Sequence, residues 1–169
     1  MKKQITKIAQ KIPLNSRNFQ KIITFFMFEC PVPDVSFRGH TLKEFGWDNP
    51  NKLCLLVRLL KQSASKDFRD NYYCCLNEDE CKNSLKLLPN KSSSIEYCMY
   101  LGSDSKNRIQ SLLRSIRNAF AHGSFYIDSR KYYHLENFHK SLKAKICLSE
   151  ETLLKWICVI KNDTDSPNN

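Results

Sequence analysis

Arg114, Arg117, Asn118 and His122 crowd one short stretch, Arg114-Ser115-Ile116-Arg117-Asn118-Ala119-Phe120-Ala121-His122-Gly123, and their types suit phosphoryl chemistry. An Arg fork can hold phosphate oxygens as charge builds on them, and a histidine, whose ordinary pKa lies near neutrality, can move a proton. Asn can orient either group. On a helix, Asn118 and His122 stand i, i+4 and share a face, with Arg117 one residue round and long enough to reach the same space. Arg117 and His122 are themselves about 140° apart on an ideal helix, so they need not touch within one chain. A plainer reading competes. Arg114 and Arg117 can be solvated helix cations, with His122 placed at a helix C-terminus, where imidazolium is favoured. An R-x-x-x-x-H spacing alone does not separate the two.

The segment that must position these groups is the clearest element of the chain. Over residues 104–122, Ile109, Leu112, Leu113, Ile116 and Phe120 follow i, i+3, i+4, i+7, i+11, the apolar face of one helix. Asp104 or Ser105 can cap its start, and Gly123 suits the left-handed residue past its end, which puts His122 in the last turn. Upstream, Ile5, Ile8 and Ile12, then Phe19, Ile22, Ile23 and Phe26 behind a cap at Asn15 or Ser16, read as helix up to Cys30-Pro31-Val32-Pro33. An ordered loop follows to residue 48. Asn49-Pro50 then opens a helix with Leu53, Leu56, Val57 and Leu60 on its apolar stripe. Residues 66–101 are expected to hold two or three shorter helices, broken near Asn77 and near Pro89-Asn90-Lys91-Ser92 and closed by Gly102. Three short aromatic and branched runs, 125–127, 131–135 and 144–148, predict a small β ribbon. Ser149 caps a last helix whose positive end carries Glu150 and Glu151 and whose apolar face carries Leu153, Leu154, Ile157 and Ile160. The expectation is one all-α domain over residues 1–161, a helical bundle with a small β ribbon before the last helix, and a disordered tail over 162–169.

Composition narrows the partners. The 169 residues carry 27 Lys+Arg against 17 Asp+Glu, a formal charge of +10, which favours an anionic partner and nucleic acid first. Residues 1–30 hold six basic side chains against the single acid Glu29. Taken alone, that segment is equally well a solvated basic helix. The longest apolar run, 22–28, is far short of the roughly 20 residues of a membrane span. No small-residue cleavage site follows it, so no membrane partner and a cytoplasmic location are expected. The eight cysteines form no C-x-x-C, and the histidines at 40, 122, 134 and 139 show no paired spacing with them, so reduced thiols in the core and no metal ligand set are expected. No cofactor is implied.

The string Arg117-Asn118-Ala119-Phe120-Ala121-His122-Gly123 resembles the signature of the HEPN (higher eukaryote and prokaryote nucleotide-binding) superfamily, in which Arg, usually a polar residue, and a few more positions lead to His. The polar Asn118, the apolar Ile116, Ala119 and Phe120, the small Ala121 and the following Gly123 all agree with it. Tyr132-Tyr133 and Leu153-Leu154-Lys155-Trp156-Ile157 are similar to the C-terminal part of a plasmid- and defence-associated bacterial group of that superfamily. The likeness covers roughly residues 95–161, and residues 1–90 only as a string of helices.

The resemblance implies a HEPN-like bundle that pairs as a homodimer, bringing Arg117 and His122 of two chains into one cleft. It also implies metal-independent RNA cleavage, the ribose 2′-hydroxyl attacking the adjacent phosphate to leave a 2′,3′-cyclic phosphate and a free 5′-hydroxyl. Carried over, His122 is the proton-transfer group, Arg117 holds the scissile phosphate and Asn118 orients them. The biological setting implied is a toxin or abortive-infection effector, with an antitoxin protein as a further partner. One position departs. Where some members carry a Tyr that a partner nucleotidyltransferase modifies, two residues past the His, this chain has Ser124, and Tyr126 is displaced by two, which puts silencing by that route in question. Further RNA contacts are expected from Arg114, Lys131, Tyr132 and His134, the last three within a basic and aromatic stretch that runs on through Phe138, His139 and Lys140. The alternative from a different class is a non-catalytic dimer that binds RNA or nucleotides as an adaptor.

Overall fold

The structure, a computed structural model, describes residues 13–32, 38–90, 94–102 and 108–163. The expected helix over Ile5, Ile8 and Ile12, the caps Asp104 and Ser105, and the tail from 164 onward lie outside these residues.

Helix starts follow the side-chain caps that the sequence offers. Helix α1 (Arg17–Thr24) begins behind Ser16, whose Oγ accepts the Phe19 N–H at 3.3 Å, and runs on into a π-helical turn, Phe25–Glu29. Helix α2 (Pro50–Ser63) starts behind Asn49, whose side chain accepts the Lys52 N–H at 3.0 Å, with Pro50 in the first turn where its missing N–H costs nothing.

The stretch after α2 overturns the all-α expectation. Strands β1 (Tyr72–Cys75) and β2 (Tyr97–Leu101) flank a short helix α3 (Glu78–Leu85) capped by Asn77, and β1 pairs with β2 in parallel. After helix α4 (Arg108–Ala121), the expected ribbon is larger than predicted: β3 (Phe125–Ile127), β4 (Tyr132–His139) and β5 (Ser141–Ser149). Helix α5 (Glu150–Lys161) closes the fold behind Ser149, whose Oγ accepts the Thr152 N–H at 3.1 Å. The strands form one sheet in the order β1-β2-β5-β4-β3, antiparallel except for the β1–β2 pair. The protein is therefore mixed α/β, five α-helices and a five-stranded mixed sheet among the described residues, not an all-α bundle with a ribbon attached.

The reason lies in β2. Tyr97, Cys98, Met99 and Tyr100 are all buried, because helices cover the strand on both faces. Such a strand shows no apolar-polar alternation, and a short continuous apolar run does not tell strand from buried helix by period.

Alternation along the strands sorts the two faces. Cys98, Tyr100, Tyr133, Leu135, Ala144, Ile146 and Leu148 join one large core with α1, α2, α4 and α5. On the opposite face, Cys75 and Met99 meet Cys81 of α3 in a smaller cluster. Two buried indoles tie the large core together, Trp156 Nε1 donating to the Leu60 carbonyl at 3.0 Å and Trp47 Nε1 to the Ile160 carbonyl at 2.7 Å. Asn162, at φ 56°, ends α5 in a left-handed cap.

Candidate functional site

Helix α4 is rolled by its apolar stripe. Ile109, Leu112, Leu113, Ile116, Ala119 and Phe120 are buried, and Phe120 packs edge-on against Phe125 at 5.0 Å and tilted against Phe26 at 5.9 Å. Truncating Ile116 or Phe120 to Ala would cost about 2–5 kcal/mol by the usual penalty for emptying a core position. This packing leaves Arg114, Arg117 and Asn118 half-buried along the flank of the helix. Arg117 lies close enough to Cys30, just past the π-helical turn, for its charge to act on that thiol; burial pushes the Cys30 thiol far above its ordinary range and the Arg117 charge opposes part of that rise.

The helix end is shaped by Gly123. It stands at φ 63°, its N–H bonds the Phe120 carbonyl at 3.1 Å, and the Ser124 N–H bonds the Ala119 carbonyl at 2.8 Å. That pair of bonds is a Schellman ending, which makes His122 the capping residue and leaves it exposed. A left-handed backbone costs Gly little and other residues more.

The guanidinium of Arg117 is the unusual group. Its Nη1 donates to Asn118 Oδ1 at 3.3 Å, while its Nε is buried with no hydrogen-bond partner among the described residues. An unmet buried donor on a charged group costs on the order of 1–3 kcal/mol, and such groups call for an explanation in strain, function or an absent acceptor. Among the described residues, Arg117 bonds Asn118 and not His122, in keeping with their separation around the helix.

The other expected contacts do not gather at this site. Lys131 is exposed at φ 63° and reaches Glu150 at 3.4 Å, and the Tyr132 hydroxyl donates to the Ser94 carbonyl at 3.1 Å. Both line a cavity of about 510 Å³ beside the start of α5, which contains none of Arg114, Arg117, Asn118 or His122. His134 is only 5% exposed and lies flat on Tyr126, ring centroids 4.3 Å apart and 7° from parallel, on the sheet face opposite α4. Buried in that stack, it presents no ring to a base.

His134 also stands near Cys147 and Asp128, a set of types that invites comparison with a nucleophile, base and orienting acid. The geometry does not support it. The same Nε2 faces Cys147 Sγ at 4.0 Å and Asp128 Oδ2 at 3.4 Å, whereas a relay needs the two partners on different ring nitrogens. Burial also pushes the Cys147 thiol up to about 12, away from thiolate. All eight cysteines are free; Cys54 is exposed rather than packed in the core. Among the described residues no group of three or more His, Cys, Asp or Glu side chains is arranged to hold a metal, and no helix is long and apolar enough to cross a membrane.

No protein-family model, curated protein or solved structure matches the chain.

One polar group escaped the sequence reading. Glu96, 1% exposed, accepts the Ser65 N–H at 2.6 Å and the Ser149 N–H at 2.8 Å, joining the segment after α2 to the start of α5. A single acid before an apolar run carries no pattern. His40 bonds Glu44 at 2.7 Å beside the Thr41–Glu44 capping box.

Proposed function

We propose that the chain is an endoribonuclease of the HEPN kind, acting on RNA in the cytoplasm through Arg117, Asn118 and His122. The observation that carries this reading is the Arg117 guanidinium, half-buried and held on one side by Asn118, five residues before an exposed histidine at a helix end. The N–H groups of the guanidinium beyond its buried Nε can hold a phosphate oxygen. The reaction follows from the groups. The 2′-hydroxyl loses its proton to a base and its oxygen bonds the neighbouring phosphorus; the bond from phosphorus to the 5′-oxygen breaks, and that oxygen takes up a proton. His122 moves protons, and Arg117 holds the non-bridging oxygens as their charge grows. Pairing of two chains would set an Arg117 and a His122 across one cleft, which their angular separation within a single helix does not provide. A toxin or abortive-infection role, with an antitoxin as partner, fits an enzyme that degrades RNA.

A second reading has its own observation. Because Arg117 bonds Asn118 and not His122, the pair could hold RNA or a nucleotide without turnover, as an adaptor. Incubating the full chain with a labelled single-stranded RNA and with its DNA copy separates the two. Cleavage of the RNA to a cyclic phosphate, with the DNA left whole and with no loss in EDTA, is expected; binding without cleavage assigns the adaptor role.

A further inference from the structure

The sheet has two edges, β1 and β3, and at β1 one side of the backbone is left open. The Asn71 carbonyl accepts the Cys98 N–H at 2.9 Å and the Cys75 carbonyl accepts the Gly102 N–H at 2.8 Å, so Asn71, Tyr73 and Cys75 turn their backbone polar groups to β2. Alternation then turns those of Tyr72 and Cys74 outward, where they have no hydrogen-bond partner among the described residues. The next outward group is closed, the Leu76 N–H donating to Glu80 Oε2 at 2.7 Å. An open strand edge is a template for another chain. Its two faces differ. On the α3 side, a cavity of about 380 Å³ runs along β1 and is lined by Tyr73, Cys75, Asn83, Ser84 and the exposed Leu87. On the other side, Lys61 Nζ of α2 sits 3.9 Å from the centre of the Tyr72 ring and meets no carboxylate among the described residues.

We propose that the outer edge of β1 takes an extended acidic peptide segment of another protein as a sixth strand, its backbone pairing with Tyr72 and Cys74. Alternate side chains of such a strand point to opposite faces, so apolar ones enter the groove beside Leu87 and acidic ones stand on the face of Tyr72, within reach of Lys61. Main-chain bonds give the affinity and the alternating side chains the specificity. A second copy of this chain fits less well. Pairing two β1 edges about a two-fold axis keeps both Lys61 side chains on one face and sets like charges across the new pair. The formal charge of +10 also favours an acidic partner. The RNA reading above plays no part in this inference.

The test titrates the full chain into a labelled synthetic peptide alternating Glu and Val and reads fluorescence anisotropy. Saturable binding is expected. N-methylating the alternate set of peptide amides that faces β1 should abolish it, and N-methylating the other set should leave it unchanged, because only the first set donates to the edge. Lys61→Gln should weaken binding about two- to five-fold, the usual worth of an exposed ion pair, and a peptide alternating Gln and Val should bind both forms alike. No binding, or the same effect from either set of N-methyl groups, overturns strand addition. Equal affinity of wild type and Lys61→Gln for the Glu–Val peptide overturns the acidic partner. Light scattering at saturating peptide should show the chain's own oligomeric state unchanged; a dimer that falls to monomer would give the edge to a second copy and overturn the proposal.

Discussion

Asn118 Oδ1 accepts a hydrogen bond from Arg117 Nη1 at 3.3 Å, so two consecutive residues of α4 form one unit in which the amide fixes the direction of the guanidinium. Asn118→Ala should lower kcat/KM for RNA about ten- to a hundred-fold, because a group displaced by about 1 Å loses that much. Half-buried on the helix flank, Asn118 carries little packing, so the melting temperature should hold. An unchanged rate would mean that Arg117 is positioned by something else.

Glu96 makes a separate prediction about stability. Burial raises its carboxyl pKa, but hydrogen bonds from the Ser149 and Ser65 backbone and from the Thr152 and Ser149 side chains outweigh that and hold it below the ordinary glutamate value. A group with a depressed folded pKa contributes stability that is complete above its unfolded pKa and is lost as pH falls towards the folded value. The wild type should therefore lose stability in acid below the ordinary glutamate range. Glu96→Gln should be about 1–3 kcal/mol less stable at neutral pH, since its amide sets donors against donors, and should lose less on acidification. Urea melts across pH check both.

Much of the helical layer was legible, and for identifiable reasons. Ser16, Asn49, Asn77 and Ser149 are caps whose side chains bond local N–H groups, and Gly123 ends α4 through its own backbone preference. These signals act over three or four residues. The sheet does not: β5 lies between β2 and β4, so the pairing of Tyr97 with Cys147 joins residues far apart in the chain. Tyr97 and Cys98 give no local sign of that partner, and both are buried. The candidate site divides the same way. Arg117, Asn118 and His122 were visible because one helix carries them, whereas the burial of His134 against Tyr126 follows from a cross-strand register.

RNA affinity should fall steeply with salt, since a chain with a formal charge of +10 meets RNA through phosphates and releases counterions. A slope of about −0.7 per phosphate contact is expected in a plot of log affinity against log salt for a single strand. Neutralising Lys2, Lys3, Lys7 and Lys11, which lie outside the described residues, should flatten that slope. An affinity independent of salt would place the RNA footprint away from the basic surface.

Light scattering should give twice the 19.8 kDa chain mass at concentrations on the order of tens of micromolar. A monomer under those conditions would contradict a cleft built from two chains, and Arg117 and His122 would then have to act within one.

The central claim is that Arg117 and His122 carry the cleavage of RNA. It is tested most directly by the single-turnover cleavage rate of a single-stranded RNA with wild type, Arg117→Ala and His122→Ala, each checked by thermal melting. Both positions fall off the buried stripe of α4, so the variants should melt close to wild type. Their rates should fall by about a hundred- to ten-thousand-fold, the usual cost of losing a general acid–base or a preorganised charge contact. A folded His122→Ala or Arg117→Ala protein that cuts RNA at the wild-type rate would contradict the account.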